Sequence, residues 1–510
     1  MTTLQAPAQL PLLTEARAKA PRAYGRLFAL TVVASLLGLV YLLGFLQPLS
    51  YRRFPGIIPS ERPLADVLGT DLGGALRFLI PVVVASVLYG AAVVLARGLH
   101  GRRLALAVLG VAGVYVAIFL PTNPVGAQDI YHNVFDGRIL WRYHDNPNVV
   151  PPAAYPDDPL YPTVVAWSEF ASPYGPLWYA ATGIPYAIAG DDLRANVLGH
   201  KALTAFFLLT TGILAYLVAE RLRAGSGVAA LIAVTWNPLM LFETAGNGHN
   251  DIVMVCFALA AFWALAARRW LLVFPLLALS VATKYGFVIL GPLILVYMLH
   301  RQDVRKRTIV LSLLLGALVG IAVYIPFFQG AETLEMLRRQ SVFNTSSPAA
   351  LLDAALVTRL GMTPEDSSAL MKLIVMPLYL LAYAWLVWLV WRGRGGLDTL
   401  VRQSVTAVFL LLLIATWWFW PWYVIWIVPL AALVPYRRAA LLGLSFSCAA
   451  LAMYAAYFWL LFGDGLFLQA ATSAVAFGPP LVLLAGSLVW TWPRARRALP
   501  HAVALDGGVA

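Results

Sequence analysis

Charged residues are scarce in this chain. Asp, Glu, Lys and Arg make up 12% of its 510 residues, whereas 61% of the residues are hydrophobic. Soluble globular domains carry roughly 25% charged residues, so this composition argues against a large soluble enzyme. Long apolar runs with few charges are typical of helices that cross a membrane. We therefore predict an all-α polytopic membrane protein.

Cysteine is rare as well, and several familiar catalytic patterns are missing. The two cysteines, Cys256 and Cys448, lie inside apolar runs, where cysteine behaves as a small core residue rather than as part of a disulfide framework. The sequence has no Walker A motif, no GxSxG nucleophile elbow and no His/Cys spacing typical of zinc. These absences argue against ATP-driven transport by this chain alone, and we expect no cofactor.

The net charge of +12 comes from 36 Lys and Arg residues against 24 Asp and Glu residues. Most of the cations lie in short loops between apolar runs, which is the pattern of cytoplasmic loops. We attribute the positive charge to membrane topology and predict no nucleic-acid partner.

Apolar runs predict about fourteen transmembrane helices with both chain ends on the cytoplasmic side. Eleven runs have the length of a bilayer crossing, namely 27–46, 75–97, 103–120, 200–219, 227–244, 251–267, 308–327, 371–391, 402–418, 439–461 and 475–492. Three runs are shorter, as in membrane proteins whose helices break around a cavity, namely 270–282, 286–299 and 422–436.

These helices define one membrane domain. The predicted parts are a cytoplasmic N-terminal segment at 1–26, a single transmembrane domain at 27–497 with outer loops at 121–199 and 328–370, and a cytoplasmic tail at 498–510. The first apolar run follows four basic residues and is long for a signal-peptide core, so we interpret it as an uncleaved signal anchor.

The segment Gly175–Gly190 is apolar enough to resemble a further crossing. If it crossed, every basic cluster from Arg221 onward would move to the side opposite the N-terminus, against the positive-inside rule. It is also short and contains Pro185. We predict that it is an interfacial helix within the first outer loop.

The longest polar interval, Gly126 to Tyr179, carries most of the candidate chemistry. On a helix that starts at Asp129, the residues Asp129, His132, Asn133 and Asp136 fall at i, i+3, i+4 and i+7 and share one face. The opposite side is apolar, so we predict a helix in the membrane interface with its apolar side down and its polar side facing a cleft.

Asp129 is the strongest single candidate in this interval. A carboxylate at the outer face can act as a general base on a sugar hydroxyl. The alternative is that Asp129 only stabilises the positive end of the helix dipole.

A second polar cluster comprises Asn247–Asp251 next to Glu243, between two apolar helices. Asp251 alone would be an ordinary helix N-cap, but a cluster of this density at membrane depth favours a functional site.

Two cations of the outer side are candidate anion ligands. Lys284 lies between two short apolar helices, where a lipid phosphate would be its natural partner; the alternative is snorkelling to the headgroup level. Arg359 belongs to the second predicted outer loop. The alternative to anion binding there is a charge that is simply solvated.

The aromatic run TWWFWPWYVIW contains Trp420 and Trp422. An aromatic belt at the membrane boundary explains it without any function. Part of the run is a candidate surface for stacking on sugar rings.

Four stretches resemble a known superfamily: QDIYHNVFDGRILWRYHDNPNVVPP, SPYGPLW, GHND and WFWPWYVIWIVP. They are similar to the GT-C glycosyltransferases, and most of all to the bacterial polyprenol-phosphate-mannose-dependent α-mannosyltransferases, which include α-1,6-mannopyranosyltransferases and relatives that extend phosphatidylinositol mannosides. The likeness covers about residues 103–460.

The resemblance implies roles for individual residues. It implies that Asp129 is the catalytic base that deprotonates the acceptor hydroxyl for direct, inverting attack. It also implies that Asp251 and its neighbours match the second acidic site of the outer loops, which makes Asp251 a second catalytic candidate, and that Lys284 matches the basic residue near the lipid phosphate. Some relatives carry paired acids where this chain has Gln128 before Asp129, so no metal is expected. The predicted ligands of the donor phosphate are Lys284, His249 and Arg359, and those of the acceptor or sugar are His132, Asn133, Asp136, Tyr174, Trp420 and Trp422.

We therefore predict a glycosyltransferase in the cell membrane with its active site on the extracytoplasmic face. It would move a sugar, with mannose as the first choice, from a polyprenyl-phosphate donor to a lipid-linked or glycan acceptor, among membrane lipids. The alternative is a multi-span transporter or flippase of lipid-linked saccharides, which should show internal repeats and charges near the midplane. A purely structural membrane protein is the third possibility.

Overall fold

The computed structural model describes residues 10–54, 60, 62–126, 128–335, 345–393, 396–434, 437–460 and 465–497. The predicted tail at 498–510 and the first nine residues of the predicted N-terminal segment lie outside these described residues.

The described chain is helical and contains no β-strand, which confirms the predicted all-α class. The helices of the first half are α1 (Leu10–Tyr41), α2 (Gln47–Leu49), α3 (Pro63–Leu68), α4 (Leu72–Ala96), α5 (Arg102–Phe119), α6 (Asp129–Trp141), α7 (Pro176–Ala189), α8 (Leu193–Leu222), α9 (Gly227–Thr235) and α10 (Pro238–Leu241).

The second half continues the same pattern. Its helices are α11 (Asp251–Ala266), α12 (Val273–Thr283), α13 (Leu290–Leu299), α14 (Lys306–Tyr324), α15 (Pro348–Leu360), α16 (Pro364–Arg392), α17 (Leu397–Leu410), α18 (Val428–Ala432), α19 (Arg437–Ala455) and α20 (Gly465–Arg497).

Short 3₁₀ and π turns extend or join these helices. The π turns are Leu42–Leu46, Phe242–Gly246, Leu411–Ala415 and Ala456–Leu460, and the 3₁₀ turns are Pro152–Ala154, Tyr161–Thr163, Val165–Trp167, Trp270–Leu272, Tyr285–Ile289, Ile325–Phe327, Gly330–Leu334 and Pro421–Trp426.

Nine helices within the described ranges are long and apolar enough to cross a membrane. They account for nine of the eleven predicted long spans and confirm a polytopic membrane protein. The spans are Tyr24–Leu49, Leu72–Ala96, Arg102–Phe119, Leu193–Leu222, Lys306–Phe327, Pro364–Arg392, Leu397–Ala415, Arg438–Trp459 and Gly465–Gly486.

The other two predicted long spans are broken or short. The run 227–244 forms two helices, Gly227–Thr235 and Pro238–Gly246, bent by 50°. The bend follows from Asn237 and Pro238, because the Asn237 side chain caps the second helix by accepting from the backbone N–H of Leu239 at 2.9 Å, and a proline lacks the N–H that would continue the first helix.

The remaining predicted runs form short apolar helices, as expected for three of them. They are Asp251–Ala266, Trp270–Thr283, Tyr285–Leu299 and Pro421–Ala432. The first was predicted to span 251–267 at full length, but it ends where Arg268 takes a left-handed backbone conformation with φ 57°.

The loop at 121–199 contains two short helices, α6 and α7. Helix α6 has 13 residues and α7 has 14, which corresponds to roughly 20 Å each and is less than the bilayer core. They contact each other, and both contact α8. Helix α8 in turn packs against α11, which also packs against α12. Asp129, at the start of α6, and Asp251, at the start of α11, thus belong to adjoining parts of the fold.

Candidate active site

Asp129 is the first residue of α6, where the positive end of the helix dipole favours a carboxylate. Its side chain is 31% exposed, and its Oδ2 lies 4.0 Å from His249 Nδ1. The hydroxyl of Tyr174 donates to the same oxygen at 3.1 Å. Asp129 is therefore fixed by two neighbours and still accessible to a ligand.

Tyr174 keeps its proton in this position. Burial, followed by the nearby Asp129 carboxylate, raises the pKa of the Tyr174 phenol well above its ordinary value of 10.0. Tyr174 therefore acts as a hydrogen-bond donor to Asp129.

The rest of the predicted polar face of α6 is engaged inside the protein. Asn133 accepts from Trp178 Nε1 at 2.9 Å, and Asp136 accepts from Ser172 at 2.5 Å; both side chains are buried. His132 lies between Asp136 Oδ1 at 3.1 Å and the Phe170 carbonyl at 3.2 Å. Of the four face residues, Asp129 is the most accessible.

The apolar side of α6 corrects one prediction. It does not lie on lipid, because Ile130, Val134, Phe135 and Ile139 are each at most 2% exposed. They pack in a cluster with Leu160 and Val164 of the same loop and with Val197 of α8. The loop thus has a small hydrophobic core of its own, which holds Asp129 in place.

The His132–Asp136 pair gives a testable pH dependence of stability. Burial lowers the pKa of His132, but Asp136, the Phe170 carbonyl and Asp129 raise it by more, so the folded pKa lies above the ordinary 6.5. A raised folded pKa adds stability below about pH 6.5 that is lost as pH rises through the folded value.

We therefore expect the thermal midpoint of wild type to exceed that of His132→Gln most at pH 5–6, with the difference shrinking above neutral pH. Detergent-solubilised protein scanned at several pH values measures this difference. A difference that stays constant across that range would contradict the ion pair.

A buried arginine, which the sequence did not single out, anchors the other end of α6. Arg138 is fully buried, and its guanidinium contacts Asp158 at 2.7 Å and Asp191 at 2.7 Å. The hydrogen bond from Arg138 lowers the pKa of Asp191. The network joins α6 to the loop and to the α7–α8 junction, and sequence spacing gives no sign of it.

A buried lysine was also missed. Lys201 of α8 donates to the carbonyls of Leu120 at 2.7 Å and Thr122 at 2.5 Å. These carbonyls follow the end of α5, where backbone acceptors lack helical partners. Lys201 thereby fixes the start of the segment that leads to Asp129.

The polar cluster at 247–251 forms the second wall of the site. Gly248 has φ 75°, a left-handed conformation that favours glycine, and this turn places His249 between two carboxylates. His249 Nε2 lies 3.3 Å from the buried Glu243, and Nδ1 faces Asp129. His249 was predicted to bind the donor phosphate; the structure places it beside Asp129.

Two predicted sugar-stacking residues are themselves stacked. The His249 ring lies 4.2 Å from Trp422 at 16°, and Trp420 continues the stack at 5.2 Å and 5°. Both indoles are more than 90% buried. The two indoles thereby fix the orientation of the imidazole ring. The Nε1 atom of Trp420 has no hydrogen-bond partner within the described chain.

Asp251 and Lys284 form an ion pair, although the sequence predicted separate roles for them. Lys284 Nζ donates to Asp251 Oδ1 at 2.8 Å, with side-chain exposures of 14% and 1%. Trp426 Nε1 donates to the same oxygen at 2.5 Å. The ammonium also lies 5.2 Å from the ring centres of Tyr174 and Tyr423, close enough for cation–π attraction.

Gly175 explains how Tyr174 reaches Lys284. The N–H of Gly175 donates to the Thr283 carbonyl at 2.9 Å, and a Cβ at Gly175 would lie 2.0 Å from the Ala282 carbonyl oxygen. Only glycine permits this close backbone contact. The SPYGPLW segment is thereby docked on the end of α12, next to Lys284.

Arg359 is separate from this group. It lies in the last turn of α15 and is exposed, and no contact among the described residues joins it to Asp129, Asp251 or Lys284. Within the same residues, no group of three or more His, Cys, Asp or Glu side chains is placed to hold a metal ion.

Comparison with known proteins finds one family model that matches part of the first 300 residues. Residues 52–300 match the model of the family described as "Alpha-(1->6)-mannopyranosyltransferase, N-terminal domain". Asp129, Tyr174, His249, Asp251 and Lys284 lie inside the match, whereas Arg359, Trp420 and Trp422 lie beyond it.

Two curated relatives agree with this match. The chain is 26% identical over 177 residues to Alpha-(1->6)-mannopyranosyltransferase A of Corynebacterium glutamicum, covering 35% of this chain and 36% of the relative. It is 25% identical over 219 residues to the protein of the same name of Mycobacterium tuberculosis, covering 42% of each chain. The alignments thus span less than half the length of either relative.

Both relatives are named as glycosyltransferases, the class predicted from the sequence. The predicted resemblance to the GT-C mannosyltransferases is confirmed, on the basis of residues 52–300, just under half of the chain, and of the two partial alignments.

Proposed function

We propose that the chain transfers mannose from a polyprenyl-phosphate donor to a lipid-linked or glycan acceptor on the outer face of the cell membrane, with inversion. The names of the relatives support mannosyl transfer. One observation supports the donor and the mechanism. Tyr174 contacts both a partly exposed carboxylate, Asp129, and the ammonium group of Lys284. A base and an anion ligand are the two groups that this reaction requires.

Asp129 acts as the general base in this proposal. It removes the proton of the acceptor hydroxyl as the acceptor oxygen attacks the anomeric carbon. The bond between that carbon and the phosphate oxygen breaks, and the polyprenyl phosphate leaves with the electron pair. His249 flanks this base, with Nδ1 4.0 Å from Asp129 and Nε2 3.3 Å from Glu243.

Lys284 binds the phosphate that leaves. An ammonium group has three donors, and Asp251 uses one of them. The aromatic cage of Tyr174, Tyr423 and Trp426 holds the ammonium in place. We assign Asp251 a positioning role, because it contacts Lys284 and Trp426, and its own side chain is only 1% exposed.

Polar atoms without partners in the described chain are candidate ligands of the sugars. They include Asn250 Nδ2, Asp251 Oδ2 and Trp420 Nε1, and buried polar atoms of this kind are costly unless they meet a partner. Asn133 and Asp136, which were predicted to contact the acceptor, have internal partners, and we assign them to the support of α6.

The test is a transfer assay with purified wild-type protein in detergent. Polyprenyl-phosphate-mannose, polyprenyl-phosphate-glucose and GDP-mannose are offered in turn as donors, with a short α-mannoside as acceptor. We expect a product from polyprenyl-phosphate-mannose and none from GDP-mannose. Transfer from GDP-mannose would contradict the lipid donor. In protein reconstituted into vesicles, movement of a lipid-linked saccharide across the bilayer without a new glycosidic bond would favour a flippase.

A further inference from the structure

A cavity of about 450 Å³ lies at the end of the bundle remote from Asp129. It opens between the end of α4, the start of α9, and helices α18 and α19. Helix α5 begins next to this end of α4 and leads back toward Asp129 over 18 residues, a distance of roughly 27 Å. The cavity and Asp129 are therefore separated by about the hydrocarbon thickness of a bilayer.

Among the residues that the structure describes, the basic ones that line this cavity are Arg97 and Arg223. Both are exposed, and neither has an ion-pair partner within the described ranges. The carboxylate in the vicinity, Glu220, accepts from the backbone N–H groups of Gly225 at 2.8 Å and Gly227 at 2.9 Å. The mouth of the cavity thus carries a net positive charge and two guanidinium forks, which match the geometry of a phosphate.

An apolar groove of about 660 Å³ continues from the cavity along α4 and α19. Gly90, Val94, Leu441 and Leu444 line both. Along α4 the groove reaches from Leu95 back to Val83, which is roughly 18 Å of helix and slightly more than half of a bilayer core of about 30 Å.

The groove faces the bilayer rather than the interior of the protein. Val83, Val87 and Val94 are 49%, 66% and 57% exposed. A basic pocket joined to an apolar groove one leaflet deep is complementary in shape and charge to an anionic lipid. A soluble anion would leave the groove empty.

We propose that this cavity and groove bind one anionic phospholipid of the leaflet opposite Asp129. Its phosphate lies between Arg97 and Arg223, and one acyl chain follows the groove between α4 and α19. The site shares no residue with the candidate active site, so it stands independently of the proposed transferase function.

The test measures lipid binding to the full-length protein by native mass spectrometry in detergent. Dioleoyl phosphatidylglycerol and dioleoyl phosphatidylcholine are titrated into wild type, Arg97→Gln/Arg223→Gln and the control Arg102→Gln/Arg221→Gln. The control removes the same charge from exposed arginines of the same face that do not line the cavity. With about 1 kcal/mol per arginine near a lipid surface, the first double variant should bind phosphatidylglycerol about thirtyfold more weakly.

The control variant should bind like wild type, and wild type should prefer phosphatidylglycerol to phosphatidylcholine. Equal weakening in both double variants would overturn the site, because diffuse surface charge would then explain the affinity. Thermal midpoints of all variants show that each is folded.

A second variant tests the groove. Ala91→Phe adds a ring in the groove outside the cavity, so it should weaken binding of dioleoyl phosphatidylglycerol while leaving dihexanoyl phosphatidylglycerol unaffected. Inorganic phosphate should not compete with the long-chain lipid at equal concentration. Unchanged binding of the long-chain lipid by Ala91→Phe, or full competition by inorganic phosphate, would overturn the proposal.

Discussion

Replacing Asp129 by asparagine should lower kcat for mannosyl transfer by about 10²–10⁴-fold, the usual contribution of a general base. Asparagine has nearly the same size and still accepts the hydrogen bond from Tyr174, so the local packing is preserved. It cannot take a proton at neutral pH, so the acceptor hydroxyl loses its base. Rates from a radiolabelled donor under saturating acceptor measure the effect.

The matched control for this experiment is Asp157→Asn. Asp157 belongs to the same loop, 121–199, and is exposed, so its replacement changes the charge of the loop by the same amount. We expect the control to keep the wild-type rate and both variants to keep wild-type donor binding. A variant at Asp129 that transfers as fast as wild type would remove Asp129 from the mechanism.

Replacing Lys284 by methionine should have the largest effect on stability. The change leaves Asp251 charged and buried without its cation, which typically costs roughly 3–5 kcal/mol in free energy of unfolding. The donor phosphate would lose its ammonium ligand at the same time. We expect a lower thermal midpoint together with a raised KM for the lipid-phosphate donor.

A double variant separates these two effects. Lys284→Met/Asp251→Asn removes both charges, so stability should return toward wild type, as expected for a coupled pair. Transfer should stay impaired, because the phosphate ligand is still missing. Recovery of transfer along with stability would show that Lys284 serves only the fold.

Much of the fold follows from the sequence because the bilayer imposes a simple rule. A helix that crosses it needs about 20 apolar residues, and runs of that length are visible without any knowledge of packing. The two exceptions follow from local chemistry: Asn237 and Pro238 bend one span, and Arg268 ends the other early.

The site was only partly predictable, because its residues meet through tertiary contacts. Lys284 is 33 residues from Asp251, and Trp426 is 175 residues away. Their types marked them as candidates, but no spacing rule pairs them. Arg359 is the opposite case: its residue type made it a candidate, but the sequence does not indicate where its loop lies relative to Asp129.

Helix α6 shows a different limit. The periodicity of its sequence separates a polar side from an apolar side, but it cannot tell what covers each. The apolar side meets Leu160 and Val164 of its own loop, and most of the polar side meets Ser172, Trp178 and Phe170.

The stereochemistry of the product distinguishes a single displacement assisted by Asp129 from a mechanism with retention. Wild-type protein is given β-linked polyprenyl-phosphate-mannose labelled with ¹³C at the anomeric carbon and an α-mannoside acceptor, and the product is followed by NMR. A single displacement with Asp129 as base predicts a new α-linkage as the first product formed. A β-linked first product would mean retention, and would contradict direct attack assisted by Asp129.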